Sequence, residues 1–344
     1  MRHRNIRGEN PTLRALGYTQ KYTISRLITH RPILLTHSLT SKCNCRCKIC
    51  DLWRKQSTSQ EMGTDEIRRM LGNAKDLDFV AYLGFGGEPL ARPDALDIFR
   101  HARRLGLFTS MITNGTYLPG RAKEVAEAVD LTWISLDYNS DYHDEMRGFK
   151  GAYSSAMEGL KELKKEGGKI VINCVLSKLN LNSVKAMAEL AVENGVKVAF
   201  DPMTVFQGIN EEYGLSDDER KALFSEVLQL KRSGYPILNS FEFLNHMISP
   251  VAYSCAQPKI FVNVQENGEV VPFWCPQCEH PLGDLKSQRL DEIISSAPFK
   301  KFGEAASSCS LCSNSTTVEV SMFYSAEVFV KNRFRPTIRL RQFR

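Results

Sequence analysis

The sequence predicts an α/β protein: a partial parallel barrel of six strand–helix units, followed by a small cysteine-rich extension. Three observations lead there. Six short apolar runs between 33 and 202 alternate with amphipathic windows, the chain changes character after residue 250, and nine of its ten cysteines fall into two groups. Strand, helix and strand repeated in this way demand parallel pairing, because each helix returns the chain to the same end of the sheet. Six strands are too few for a closed eight-stranded barrel, so an open (β/α)6 barrel of the TIM type is expected.

The first strand is the Leu- and Thr-rich run 32–40, directly after a basic leader. Strands follow at 79–85, 107–113, 131–136, 170–176 and 196–201. Between them, apolar residues recur at helical spacing over 65–74, 94–105, 121–128, 153–166 and 181–193, and a longer helix is expected at 216–232. From Tyr253 the helix signal weakens. There Asn267-Gly268, between 260–264 and 269–273, has the form of a two-residue hairpin turn. The expected organisation is a leader (1–32), a barrel (33–249), a metal-stapled extension too short for a core of its own (250–317) and a basic tail (318–344).

Of the 344 residues, 42% are hydrophobic and 24% charged, which excludes wholesale disorder. No apolar stretch approaches the roughly 18 residues of a membrane span, and the start, MRHRNIRGENPTLR, has no apolar signal core. A cytoplasmic protein is expected. Its formal charge of +6 is unevenly placed: residues 1–32 hold seven Lys/Arg against Glu9 alone, and 331–344 hold six with no acid, so the body between them is net acidic. Basic ends suit an anionic partner such as a lipid surface, an acidic peptide or nucleic acid, or are simply solvated.

Clustered thiols in a chain this large, with no secretory signal, point to metal rather than disulfides. The first group, Cys43-Asn-Cys45-Arg-Cys47-Lys-Ile-Cys50, sits just past the first strand, where parallel α/β folds place their sites. Cys43, Cys47 and Cys50 form C-x3-C-x2-C, a spacing that wraps three thiolates round a 4Fe–4S cube and leaves its fourth iron open; Cys45 stands out of phase. A zinc knuckle completed by His37 is the competing reading. After the second strand comes Gly84-Phe85-Gly86-Gly87-Glu88-Pro89. Its glycines admit close backbone approach, and a carbonyl or the Glu88 carboxylate can accept from an ammonium.

In this order and spacing the triplet and the GGEP segment resemble the radical S-adenosylmethionine (radical SAM) superfamily. The resemblance implies a 4Fe–4S cluster on Cys43, Cys47 and Cys50 whose open iron chelates S-adenosylmethionine, with Gly86, Gly87, Glu88 and Pro89 at the methionine amino group. Thr113-Asn114-Gly115, Ser135-Leu136-Asp137 and His143-Asp144-Glu145-Met146-Arg147-Gly148 resemble later family segments. They imply that Asn114, Ser135, Arg147 and, in strand five, Asn173 contact the cosubstrate. Ile49, where an aromatic residue is usual, and Tyr138, where glycine is usual, depart from the pattern.

The second group, Cys255, Cys275, Cys278, Cys309 and Cys312, resembles the SPASM/Twitch extension of the same superfamily. Five thiolates can ligate one auxiliary 4Fe–4S cluster fully but not two, which favours a Twitch-like single cluster. The preferred ligands are Cys255, Cys275, Cys309 and Cys312, with Cys278 competing for any place, and a zinc ribbon is the alternative. Cys174, alone in a strand, reads as core.

The activity so implied is reductive cleavage of S-adenosylmethionine to a 5′-deoxyadenosyl radical, which abstracts hydrogen from a substrate. A flavodoxin or ferredoxin would supply the electron. No residue is assigned as a substrate acid or base. Modification of a peptide or protein is the leading reading. A membrane lipid or isoprenoid substrate is the alternative, since Leu13, Leu16, Ile24, Leu27 and Ile28 recur at helical spacing beside basic residues and suit peripheral contact with the membrane's inner face. A non-catalytic Fe–S or zinc protein on nucleic acid is the reading from another class.

Overall fold

The computed structural model describes residues 18, 20–50, 52–54, 60–273, 275 and 280–324, and most of the leader and of the tail lies outside the described residues. Nine strands form one open sheet in the order β6-β5-β4-β3-β2-β1-β7-β8-β9. The six expected strands are β1 (Leu34–Ser38), β2 (Ala81–Phe85), β3 (Phe108–Thr113), β4 (Leu131–Ser135), β5 (Ile170–Leu176) and β6 (Lys197–Pro202), parallel throughout. The sheet does not close, which is the partial barrel expected of six units.

The helices between them are α1 (Thr64–Asp76), α2 (Ala95–Arg104), α3 (Ala122–Ala128), α4 (Tyr142–Arg147), α5 (Ala152–Lys165) and α6 (Val184–Asn194), followed by α7 (Asp217–Arg232) and α8 (Phe241–Ile248). Local chemistry sets several of their starts. Ser216 Oγ accepts the Glu219 amide while the Glu219 carboxylate accepts the Ser216 amide, a reciprocal cap that opens α7. Strand side chains alternate between faces. Leu35, Tyr82, Met111, Ile134, Ile172 and Phe200 point outward into the core with Ile67, Phe99, Val125, Leu160 and Met187 of the helices. The alternate positions, among them Thr36, Ser110, Trp133, Ser135, Asn173 and Asp201, face the concave side.

Past residue 250 the structure corrects one expectation. The segment is rich in helix: α9 (Gln257–Ile260), α10 (Leu290–Ser295), α11 (Ala297–Ser307) and α12 (Ser315–Tyr324). The signal was weak because the buried face of α12, STTVEVSMFY, mixes Thr317 and Ser321 with Val318 and Met322, so no apolar stripe stands out. The expected hairpin is present, with β7 (Phe261–Val264) and β8 (Glu269–Val270) antiparallel and β9 (Gly283–Asp284) beyond them. β7 also pairs parallel with β1, so the extension continues the barrel's own sheet. Thr36 Oγ1 donates to Asn263 Oδ1 at 2.9 Å across that seam.

Candidate active site

The cysteine loop leaves β1 and is held on three sides. On the first, the Gly87 amide donates to Thr40 O and the Glu88 amide to Lys42 O, both at 2.8 Å. A Cβ on Gly87 would stand 2.3 Å from Lys42 O, so this contact requires glycine. On the second, the Arg46 amide donates to Arg147 O at 2.8 Å and the Lys48 amide to Met146 O at 3.0 Å. Helix α4 ends there at Gly148, in the left-handed region with φ 57°, where a Cβ would meet Arg46 O at 2.5 Å. On the third, Asn210, buried beyond β6, donates to Ile49 O at 2.9 Å.

Glu88 is fully buried, and its carboxylate is used inside the protein. Oε1 accepts from Thr113 Oγ1 at 2.7 Å and from the Leu90 amide at 3.1 Å, and Oε2 accepts from the Asn114 amide at 2.7 Å. Burial raises its pKa, against the pull of those donors. Glu88 thus links the ends of β2 and β3, while Gly86 lies against Ser38 and Thr40 and Pro89 opens a buried turn, Pro89–Ala91. Asn114 donates to Cys45 Sγ at 3.2 Å and to Asn44 Oδ1 at 2.9 Å. Cys45 is buried in the loop's centre, at the thiols of Cys43 and Cys47, and the hydrogen bonds it forms there hold both below their ordinary values while its own pKa rises.

At the end of β4, Asp137 is fully buried. Its Oδ1 accepts the Val175 amide at 2.9 Å, and its Oδ2 pairs with Arg147 Nη2 at 2.6 Å. Arg147 Nη1 lies 4.0 Å from Cys47 Sγ. Burial works against the Arg147 charge, and Asp137 with the Cys47 thiolate more than restores it. His143 Nδ1 accepts the Asp137 amide at 3.2 Å, and burial and Arg147 push this imidazole down to about 2, so it stays neutral. Tyr138 does not disturb the turn; its ring packs edge-on to Tyr142 and its hydroxyl reaches Asn182 at 3.3 Å. Ser135 and Asn173 are register partners across β4 and β5.

These residues fit an open-site 4Fe–4S cluster. Cys43, Cys47 and Cys50 are thiols on one short loop, with a buried guanidinium beside the middle one to favour its thiolate. His37 is not placed to complete a zinc site: it is buried on the outer face, with Nδ1 3.0 Å from the Tyr82 hydroxyl. Among the described residues no three His, Cys, Asp or Glu side chains meet closely enough for a single metal ion. In the extension, burial raises the Cys312 pKa to about 12, and neighbouring Cys255, Cys275 and Cys309 add to it. The Cys255 amide donates to Cys309 O at 3.0 Å, and the Tyr253 hydroxyl to Cys312 O at 2.9 Å. Those four thiols are the preferred set; Cys278 lies outside the described residues. Cys174 is buried in the core.

Sequence reasoning passed over Trp133. Its Nε1 donates to Ser110 Oγ at 3.0 Å on the concave face, beside Ser135. A tryptophan in a strand reads as core; the two-residue alternation with Ser135 is the signal that places it inside.

Two family models match successive parts of the chain: the radical SAM superfamily over 37–191 and the iron–sulfur cluster-binding domain SPASM over 255–314. Fold, site and these matches define the class, a radical SAM barrel with an auxiliary-cluster domain behind it. The chain thus carries a radical SAM domain followed by a SPASM domain, which together imply 4Fe–4S clusters and S-adenosylmethionine as cofactors.

It is 33% identical over 208 residues to an AdoMet-dependent heme synthase of Methanosarcina barkeri, a match covering 58% of each chain. To a PqqA peptide cyclase of Ruegeria pomeroyi it is 31% identical over 170 residues, 48% of this chain and 46% of that one. The chain thus spans about half the length of these curated relatives. In fold it is similar to Streptococcus suis SuiB bound to S-adenosylmethionine (TM-score 0.66, 15% identity, 86% of this chain and 73% of that one). It is also similar to anSMEcpe with bound AdoMet (TM-score 0.63, 19% identity, 78% and 82%).

Proposed function

We propose that the protein is a radical SAM enzyme that modifies a peptide or protein. The observation that carries this reading is the meeting of the Cys43–Cys47–Cys50 loop with the ends of β2, β3 and β4 through Glu88, Asn114, Asp137 and Arg147. When bound, the cluster and S-adenosylmethionine supply a one-electron cleavage that yields methionine and a 5′-deoxyadenosyl radical able to take hydrogen from a C–H bond. The protein's own residues bind and exclude water. Gly86 and Gly87 offer close backbone to the methionine ammonium, Asn114, Ser135 and Asn173 offer hydrogen bonds, and Arg147 places a cation beside Cys47 for the carboxylate. Four thiols in the extension hold the auxiliary cluster.

Peptide chemistry is supported by the likeness to the peptide cyclase. A second reading, a tetrapyrrole substrate, is favoured by the heme synthase relative. The domain limits expected at 249 and 317 are retained in this proposal, as are a cytoplasmic site and a flavodoxin- or ferredoxin-type reductant. Peripheral membrane contact rests on Leu27 and Ile28, 66% and 72% exposed; failure of the full chain to sediment with anionic liposomes would remove it.

The test is anaerobic reconstitution and assay of 5′-deoxyadenosine after dithionite, with and without a peptide or an iron porphyrin. The triple alanine variant of Cys43, Cys47 and Cys50 should form none while keeping iron in the extension. Retained product overturns the proposal, and stimulation by the porphyrin alone selects the second reading.

A further inference from the structure

The segment that holds the cluster ligands also carries a basic, aromatic face which the chemistry above leaves unused. Trp53 Nε1 donates to Cys47 O at 3.1 Å. Two guanidinium groups lie over its ring, Arg46 at 5.3 Å from the centroid and Arg54 at 4.9 Å. Arg46 Nη1 in turn donates to Cys43 O at 2.7 Å and to Cys45 O at 3.0 Å. Arg46, Lys48 and Arg54 are exposed. Residues 42–54 contain four cations and one acid, Asp51, in a body that is otherwise net acidic. Glu212, next to the Tyr213 that feels the Arg54 charge, stands at the margin.

We propose that the face formed by Arg46, Trp53 and Arg54, with Lys48 beside it, is the docking surface for a small acidic one-electron carrier of the flavodoxin or ferredoxin class. This rests on the radical SAM reading, which needs such a donor. Three features favour that occupant. An acidic carrier is repelled by the body and drawn to the one cationic stretch beside the cluster ligands. Arginine forks match carboxylates in pairs, and tryptophan with arginine is the composition of an interface centre. The Trp53 indole is one hydrogen bond from the backbone of Cys47, so a carrier seated on the ring delivers its electron close to that ligand. In the step, a flavin hydroquinone gives up one electron to become the semiquinone and the cluster gains that electron; no bond of the enzyme forms or breaks.

The experiment uses anaerobic holoenzyme with a fully reduced, acidic flavodoxin as probe, and dithionite as a small reductant that needs no docking. Cluster reduction is followed by absorbance and electron paramagnetic resonance, and flavodoxin binding by calorimetry. In the double variant Lys48→Glu, Arg54→Glu, reduction by flavodoxin should slow by about tenfold or more at low salt. Its salt dependence and its binding heat should be lost, while reduction by dithionite and iron content stay at the wild-type level. Unchanged flavodoxin kinetics overturn the surface, as does equal slowing with both reductants. A weaker peptide KM with dithionite as donor overturns it in favour of a substrate-binding face. If wild-type enzyme given dithionite forms no 5′-deoxyadenosine, the enzymatic reading itself fails, and this proposal with it.

Discussion

The Glu88 carboxylate accepts the Thr113 hydroxyl at 2.7 Å, and its second oxygen accepts the next residue's amide at the same distance, so the turn after β2 holds the turn after β3. The Glu88 carboxylate, expected at the cosubstrate, makes its hydrogen bonds to Thr113, Leu90 and Asn114. Catalytic loops are ordinarily fixed by such supporting bonds.

Glu88→Gln tests this link. Glutamine keeps one acceptor oxygen, so its amide must face either Thr113 and Leu90 or the Asn114 amide, and one buried donor loses its partner. The cost is about 1–3 kcal/mol. The melting temperature should fall, iron content should hold, and S-adenosylmethionine affinity by calorimetry should drop about tenfold. A lower melting temperature with unchanged affinity would show that the Thr113-Asn114 turn does not shape the cosubstrate site.

Cys45 lies between two ligand thiols and is the more deeply buried, yet its spacing excludes it from the triplet. Cys45→Ala should keep the iron of the first site, whereas Cys47→Ala should lose it, with iron counted after anaerobic reconstitution. Removal of the Cys45 sulfur also strips Asn114 of an acceptor at 3.2 Å, so a modest loss of stability, roughly 1 kcal/mol, should accompany intact iron. Loss of iron in the Cys45 variant alone would reassign the ligand set.

The barrel was legible because its signals are local. Period-two apolar runs and period-3.6 windows placed all six parallel strands and α7 within a few residues of where they lie. The motifs were legible as strings, but their connections were not. Nothing in the spacing says that Asp137 and Arg147 pair at 2.6 Å, or that Met146 and Arg147 brace the cysteine loop. Helix α4, six residues long, is too short to show a periodic face. Helix α12 escaped notice because its buried side mixes Thr317 and Ser321 with Val318 and Met322, and Asp201, which fastens it to β6, reads as an ordinary strand end.

That fastening carries the last prediction. Asp201 accepts the Ser315 amide at 2.7 Å and its hydroxyl at 2.9 Å, and one helical turn on, Glu319 accepts the Ser240 amide at 3.0 Å at the start of α8. Burial first, and then the Asp201 charge, hold the Glu319 carboxyl up at about 7; the Ser240 amide, Asn239 and Lys231 act the other way. In the unfolded chain Glu319 ionises near 4.5, so between about 4.5 and 7 the folded state keeps a proton that the unfolded state releases. Stability from this group is complete below that window and is lost as pH rises through it. Glu319→Gln keeps an acceptor for Ser240 and cannot ionise. It should stand within about 1 kcal/mol of the wild type at pH near 5, where the window has just opened, and exceed it at pH near 8 by roughly 2–3 kcal/mol, a few degrees in the melting temperature of anaerobic holoenzyme. A difference of equal size at both pH values would mean that Glu319 is ionised throughout and that its proton plays no part in seating α12.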